Sequence, residues 1–165
     1  MYKHPEREHW SGRTDSETDV NSFRLHQVVD LQNDLSSAKT ESAFFLVGFE
    51  SDEGVKRNKG RVGAAQAPNH IRSFLASLPS TILKGNPLID TGNITCEGNQ
   101  LEKAQAELGE HVSKLLSGGG TPIILGGGHE TLYGHYLGAR GHLGKEASLG
   151  IINIDAHFDM REDET

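Results

Sequence analysis

Short apolar runs alternate with helix-like segments along this chain, and this alternation is the feature that most limits its folds. The run at 42–49 (SAFFLVGF) is apolar and aromatic, as expected for a strand buried on both faces. Further runs stand at 88–90, 122–125 and 149–154. Strands of this kind separated by helices form a parallel sheet covered by helices. The sequence therefore predicts an α/β fold with three layers, a parallel sheet flanked by helices.

The segments between these runs have the periodicity of amphipathic helices. One helix is predicted from Pro68, with a proline where the first turn tolerates it, and another over 100–116, ended by the three glycines at 118–120. A third is predicted from Thr131 toward Leu143. The apolar positions expected to face the core are Ile71, Phe74, Leu75 and Leu78 in the first helix, and Leu101, Ala104, Leu108, Val112, Leu115 and Leu116 in the second.

Composition narrows the class of protein and its surroundings. Residues 1–40 are polar and mostly aperiodic, so we expect an arm with one short helical turn around 23–31, and a single α/β domain over 41–165. A net charge of −7 argues against nucleic acid as a partner. No apolar run reaches the length of a membrane span or a signal peptide, and Cys96, the single cysteine, cannot form an internal disulfide. These features predict a cytoplasmic protein without membrane contact.

Four potential metal ligands follow two of the predicted strands. Asp155, His157 and Asp159 alternate directly after the run at 149–154, and in an extended chain such residues project from one face. His129 follows the run at 122–125, behind three glycines. Because ligands in open α/β sheets bind at the carboxyl ends of the strands, we expect the four side chains to share one cleft.

Simpler explanations exist for each of these residues. A histidine after a glycine run is more often a loop or helix-capping residue, and alternating carboxylates without a cation are tolerated at an exposed surface. Tyr133 occupies the second histidine position of an H-E-x-x-H zinc helix, and 126–130 lacks the Gly-Lys-Ser/Thr ending of a P-loop. An iron site with two histidines and one carboxylate uses similar ligands, but two carboxylates in D-x-H-x-D suit a pair of metals better.

Two motifs together resemble a known family. GGGHE at 126–130 with NIDAHFDMR at 153–161 is similar to the first two metal-binding motifs of the ureohydrolase superfamily, which includes arginase, agmatinase and formimidoylglutamase. Phe158 and Arg161 match the formimidoylglutamase version, whereas arginases typically have a small or polar residue and an asparagine there. GVKRN at 54–58 with GRVGA at 60–64 also resembles a loop of formimidoylglutamases.

The resemblance implies an arginase-like fold and a site with two manganese ions. His129 and Asp159 would bind one ion, His157 the other, and Asp155 would bridge both. Such a pair of ions activates water for attack, and the implied reaction cleaves the small molecule N-formimidoyl-L-glutamate to L-glutamate and formamide in histidine degradation. Arg161 is a candidate to bind a substrate carboxylate, with a surface salt bridge as the alternative. A homo-oligomer is a further expectation.

The resemblance covers about the N-terminal half of a family member. Family members continue with an Asp-x-Asp motif that completes both metal sites, and no such motif stands in these 165 residues. We therefore expect the chain alone to be inactive, to bind metal weakly and to be poorly soluble. The alternatives are another ureohydrolase, such as an agmatinase or arginase, or a non-catalytic metal-binding or interaction module.

Overall fold

Five strands form one sheet in the parts of the chain that the computed structural model describes, residues 1–33 and 42–159. β3 lies between β4 and β5 and runs parallel to both. The other side of β4 pairs with two short strands, β2 in parallel and β1 in antiparallel orientation. The predicted parallel sheet is confirmed, with β1 as an antiparallel addition. The strands are β1 (Tyr2–Lys3), β2 (Asp30–Leu31), β3 (Phe44–Glu50), β4 (Leu88–Thr95) and β5 (Thr121–Gly126).

Five α-helices accompany the sheet in the described residues. α4 and α5 agree with their predicted positions. In α3 the buried side chains are Pro68 and Arg72, whereas Phe74 is exposed and Leu78 lies beyond the end of the helix. The predicted apolar face of α3 was therefore wrong in part, because this helix turns an arginine toward the sheet. The helices are α1 (Leu25–Val28), α2 (Glu53–Arg57), α3 (Ala67–Leu75), α4 (Leu101–Ser117) and α5 (Thr131–Leu143).

The core lies in two clusters, one on each face of the sheet, which gives the predicted three layers. Alternate side chains of β3 reach opposite faces, as the two-residue period of a strand requires: Phe45 belongs to the cluster that contains α4, and Leu46 belongs to the other. The first cluster consists of Ala43, Phe45, Val47, Phe49, Ile89, Ile94, Leu101, Ala104, Leu108, Val112 and Leu115. The second consists of Trp10, Leu25, Val29, Leu46, Ala76, Leu88 and Leu125.

The N-terminal segment is joined to the sheet by pairing and by burial. β1 and β2 both bond to β4, and Trp10 and Leu25 belong to the second core cluster. The Trp10 indole N–H donates to the buried carboxylate of Asp90, at 2.7 Å. The helical turn expected around 23–31 is present as α1. The division into an arm at 1–40 and a domain at 41–165 remains a prediction, and 34–41 lie outside the described residues.

The strand predicted at 149–154 is not formed, and that prediction was wrong. Residues 151–154 have no regular structure, and the side chains of Ile152 and Ile154 are almost completely exposed. A strand needs a neighbour to satisfy its backbone N–H and C=O groups, and none of the described strands pairs with this segment. In the described parts of the chain, no helix is both long and apolar enough to cross a membrane.

Candidate metal centre

His129 stands in a short loop between β5 and α5, at the carboxyl end of the sheet. The backbone N–H of Gly127 donates to Phe49 O at 3.0 Å, and that of Gly128 donates to Ser51 O at 2.7 Å. Beyond the histidine, the Thr131 hydroxyl donates to Gly128 O at 2.7 Å. These bonds tie the loop to the end of β3 and leave the His129 side chain pointing to solvent, 58% exposed.

The segment with the other three candidates forms a turn. Asp155 Oδ1 accepts the backbone N–H of His157 at 2.9 Å, an aspartate turn that bends the chain. Asp159 has a positive φ of 53°, and Asn153 Nδ2 donates to Asp159 Oδ2 at 3.2 Å. The expected extended geometry of this segment was therefore wrong, because the Asp155 side chain bonds to the backbone two residues ahead.

The turn nevertheless brings two of its carboxylates to His129. His129, Asp155 and Asp159 each offer one ligand atom, and these three atoms lie within 4.8 Å of one another. His129 Nε2 is 3.3 Å from Asp159 Oδ2. His157 lies outside this group, although its Nδ1 is 3.6 Å from Asp155 Oδ1, and its side chain is 84% exposed. The structure thus brings three of the four predicted ligands together. Arg161, the predicted substrate residue, lies outside the described residues.

The electrostatics of the site favour a charged carboxylate. The backbone hydrogen bond from His157 lowers the pKa of Asp155, and the nearby His129 and His157 act in the same direction. All three clustered residues are exposed, so water reaches their charges. At such an exposed position the carboxylates are tolerated without a cation, so their proximity alone does not require a metal.

The donor set of the cluster fits a divalent metal ion. Two carboxylates and one imidazole offer oxygen and nitrogen ligands, which Mn²⁺, Zn²⁺ and Fe²⁺ accept, and the described cluster contains no thiolate. The three atoms are close enough together to contact one ion. The arrangement can therefore hold a metal ion, and a bound metal can activate water for hydrolysis.

Sequence reasoning missed the residues that hold the His129 loop. Glu130 Oε1 accepts the Ser51 hydroxyl at 2.9 Å and the Gly54 backbone N–H at 3.0 Å. Gln105 of α4 donates to the Glu130 backbone oxygen at 2.9 Å. In the sequence Glu130 appears only as part of the motif around His129, and nothing there pairs it with Ser51 or Gly54, almost eighty positions earlier.

A second polar region lies on the same side of the sheet but contains none of the predicted ligands. It is a cleft of about 530 Å³ that includes Lys3, Glu50, Asn69 and Cys96. Burial would raise the pKa of Glu50, but hydrogen bonds from Lys3 and Thr95 outweigh burial and lower it. Because the Glu50 carboxylate already accepts bonds from these side chains and from Asn69 and Asn93, it is not available to a ligand.

Comparison with known proteins identifies the family and agrees with the fold. The sequence model of the arginase family matches residues 42–165, so this chain belongs to that family. A formimidoylglutamase of Geobacillus sp. (strain WCH70) is 53% identical over 163 residues, which cover 98% of this chain and 50% of the relative. A formimidoylglutamase of Lysinibacillus sphaericus (strain C3-41) is 52% identical over 163 residues, which again cover 98% of this chain and 50% of the relative. The chain thus spans about half the length of the curated relatives it matches.

Solved structures give the same assignment. Formiminoglutamase of Trypanosoma cruzi, determined in an oxidized form with Mn²⁺ at pH 6.0, superposes with a TM-score of 0.57 at 28% identity. The match covers 72% of this chain and 41% of that protein. A single-residue variant of the same enzyme with Mn²⁺ gives a TM-score of 0.55 at 31% identity, over 65% of this chain and 38% of the variant. The predicted arginase-like fold is confirmed.

Proposed function

We propose that this chain provides part of the active site of a manganese-dependent formimidoylglutamase, with a role in cytoplasmic histidine degradation. The observation that carries the proposal is the convergence of His129, Asp155 and Asp159 at the carboxyl end of β5. The names of the relatives support the substrate, and the Mn²⁺ in the Trypanosoma cruzi structures supports the metal. Because the chain spans about half the length of these relatives, we assign the activity to the complete site.

The proposed reaction is hydrolysis of the formimino group. Water adds to the formimino carbon, the bond from this carbon to the glutamate nitrogen breaks, and that nitrogen gains a proton. The products are formamide and L-glutamate, which together contain all atoms of the substrate and the water. Two bound Mn²⁺ ions would supply the activation of the attacking water.

The residues of this chain have defined roles in the proposal. His129 and Asp159 would hold one ion and His157 the other, with Asp155 shared between them. The hydrogen bond that His157 N–H donates lowers the pKa of Asp155 and so favours the charged state, which a metal ligand needs. Arg161 is proposed to pair with a substrate carboxylate through its planar guanidinium.

A chimera tests the proposal in a complete site. Residues 1–165 would replace the matching half of the Geobacillus formimidoylglutamase, and formamide release from N-formimidoyl-L-glutamate would be measured with Mn²⁺ and after chelation. We expect manganese-dependent turnover, loss of turnover in Asp155→Ala, and little effect of the matched control Glu146→Ala, an exposed carboxylate outside the cluster. Arginine and agmatine should be much poorer substrates.

Two results would contradict separate parts of the proposal. Wild-type turnover and metal content in the Asp155→Ala chimera would reject the assignment of the metal centre. Preference for arginine or agmatine would reject the substrate and leave the metal centre in place.

A further inference from the structure

Glu130 binds the loop of His129 to two fixed points of the protein. Its Oε1 accepts the hydroxyl of Ser51, at 2.9 Å, and the backbone N–H of Gly54, at 3.0 Å. Ser51 follows directly on β3 and is 2% exposed, so its position is set by the sheet. One carboxylate oxygen therefore holds both the end of a central strand and the start of α2.

The second fixed point, at the start of α2, is itself anchored. Arg57 at the end of α2 donates to Glu53 at 3.2 Å and to Asn99 O at 2.8 Å, and it bonds to Glu102 of α4. These bonds connect the helix that carries the Gly54 N–H to the beginning of α4.

Two glycines make room for the Glu130 carboxylate. A Cβ placed on Gly128 would come within 2.0 Å of Glu130 Oε2, and a Cβ on Gly54 would come within 2.8 Å of the same atom. Both distances are far below an ordinary carbon–oxygen contact. With the carboxylate in its present position, a side chain at Gly54 or at Gly128, directly before His129, would displace it.

Hydrogen bonds fix the backbone on both sides of His129. Gly128 N–H donates to Ser51 O, and the His129 carbonyl accepts from the Leu132 N–H at 3.2 Å. Gln105 holds the Glu130 carbonyl, while the Glu130 side chain holds the preceding loop against β3 and α2. The imidazole is free to point outward, but the backbone that carries it is not free to move.

We infer that Glu130 is a positioning residue that fixes His129 for metal binding without contacting the metal itself. This inference rests on the proposed metal centre. Residues that orient metal ligands typically change metal affinity by about 10- to 100-fold when they are lost. Glu130→Ala removes the acceptor, whereas Glu130→Gln retains an oxygen that can accept from both Ser51 and Gly54.

The test uses two readouts in the chimera of residues 1–165 with the second half of the Geobacillus formimidoylglutamase, where the proposed site is complete, with Mn²⁺ alone as the probe. Metal affinity would be followed by the electron paramagnetic resonance signal of free Mn²⁺, and hydrogen exchange at Gly54, without metal, by mass spectrometry. We expect Glu130→Ala to weaken Mn²⁺ binding about 10- to 100-fold and to speed Gly54 exchange, with Glu130→Gln close to the wild type in both. Ser51→Ala, which removes one of the two donors, should lie between them, and Glu110→Ala is the matched control on the exposed side of α4.

The outcomes separate this inference from the proposed function. If His129→Ala binds Mn²⁺ like the wild type, the metal centre is wrong, and the positioning role falls with it. Loss of binding in His129→Ala with unchanged binding in Glu130→Ala overturns the positioning role alone. Equal losses in Glu130→Ala and Glu130→Gln also overturn it, because charge and not hydrogen-bonded position would then be responsible. If Glu130→Ala does not fold, Ser51→Ala is compared with Glu130→Gln instead. Weaker Mn²⁺ binding in Ser51→Ala than in Glu130→Gln supports the positioning role, and equal binding in the two overturns it.

Discussion

All five N–H donors of the Arg72 guanidinium have acceptors inside the protein. Two donate to the carboxylate oxygens of Asp90, at 2.7 and 2.8 Å, and one to Gly92 O at 2.9 Å. The other two donate to the side-chain oxygens of Asn69 and Asn93. Arg72 is 1% exposed and Asp90 is fully buried, so neither charge is solvated by water. The pair joins α3 to β4 and, through Trp10, to the N-terminal segment.

Removal of the Arg72 charge should destabilise the fold strongly. Arg72→Met leaves the buried Asp90 carboxylate without its cation, and such changes cost about 3 to 5 kcal/mol. Urea denaturation would measure the loss, with Arg7→Met, at an exposed position, as a control expected to change stability by less than about 0.5 kcal/mol. Asp90→Asn in the Arg72→Met background should recover part of the loss, since no buried charge then remains. A loss below about 1 kcal/mol in Arg72→Met would show that water or another cation reaches Asp90.

His111 is a buried imidazole that the protein keeps neutral. Burial lowers the pKa of His111 to about 4, and Lys114 contributes in the same direction, against a smaller opposing effect of Glu107. Nε2 lies 3.1 Å from the Thr91 hydroxyl, and the ring stacks on Tyr2. The position of the imidazole between α4, β4 and β1 therefore favours its uncharged form.

The lowered pKa of His111 predicts a loss of stability in mild acid. The unfolded chain gains a proton at His111 near pH 6.5 and the folded chain only near pH 4, so the stabilisation is complete above pH 6.5 and falls between these values. We expect the free energy of unfolding to drop by up to about 3 kcal/mol between pH 7 and pH 4 from this residue. His111→Gln should flatten the profile in part, because burial also lowers the pKa of His135. His70→Gln, at an exposed position, should leave the pH dependence of the unfolding free energy unchanged. The same pH dependence in His111→Gln as in the wild type would contradict the role of His111.

At the level of elements, the sequence predicted well where apolar pattern alone decides structure. β3 and α4 lie at the predicted places because each buries a continuous run or stripe of apolar side chains. β5 and α5 also lie at the predicted places, although only Leu125 of β5 is buried and the buried residues of α5 are Gly134 and Gly138. α4 buries Leu101, Ala104, Leu108, Val112 and Leu115, with Leu116 partly covered.

Elements stabilised by polar contacts were predicted poorly. β4 extends to Thr95 instead of stopping at residue 90, because Asp90, Asn93 and Thr95 bond to Arg72 and Glu50. β1 and β2 are two-residue strands whose pairing partner lies far along the chain. Short polar strands have no periodic signal, so only the tertiary contacts identify them.

The candidate site shows the same division. The sequence predicted that four side chains share one cleft; in the described structure His129, Asp155 and Asp159 lie together, and His157 lies outside this group. The conformation of the segment at 155–159 was not predictable from spacing, because a side chain of the segment bonds to its own backbone. The anchor formed by Glu130 with Ser51 and Gly54 depends on the fold alone.

On the scale of the whole molecule, the described chain combines a well-packed sheet with an open apolar segment. Phe45 and Phe49 are completely buried between the sheet and α4. Ile152, Ile154 and Phe158 are 90%, 95% and 90% exposed. Large apolar side chains so close together at a surface favour association with other chains. The same segment carries the predicted metal ligands, so association there would also affect the site.

We therefore expect the 165-residue chain by itself to aggregate through residues 151–158 and to release no formamide from N-formimidoyl-L-glutamate. Replacing Ile152 and Ile154 with lysine should raise the soluble concentration several-fold and leave the melting temperature unchanged, because neither side chain contributes to the core. Phe74→Lys is the matched control, since Phe74 is 80% exposed on α3, away from this segment. Sedimentation velocity with a thermal melt and a formamide assay would check these expectations. A monomeric wild-type chain with measurable turnover would contradict both, and would mean that 165 residues suffice for the activity.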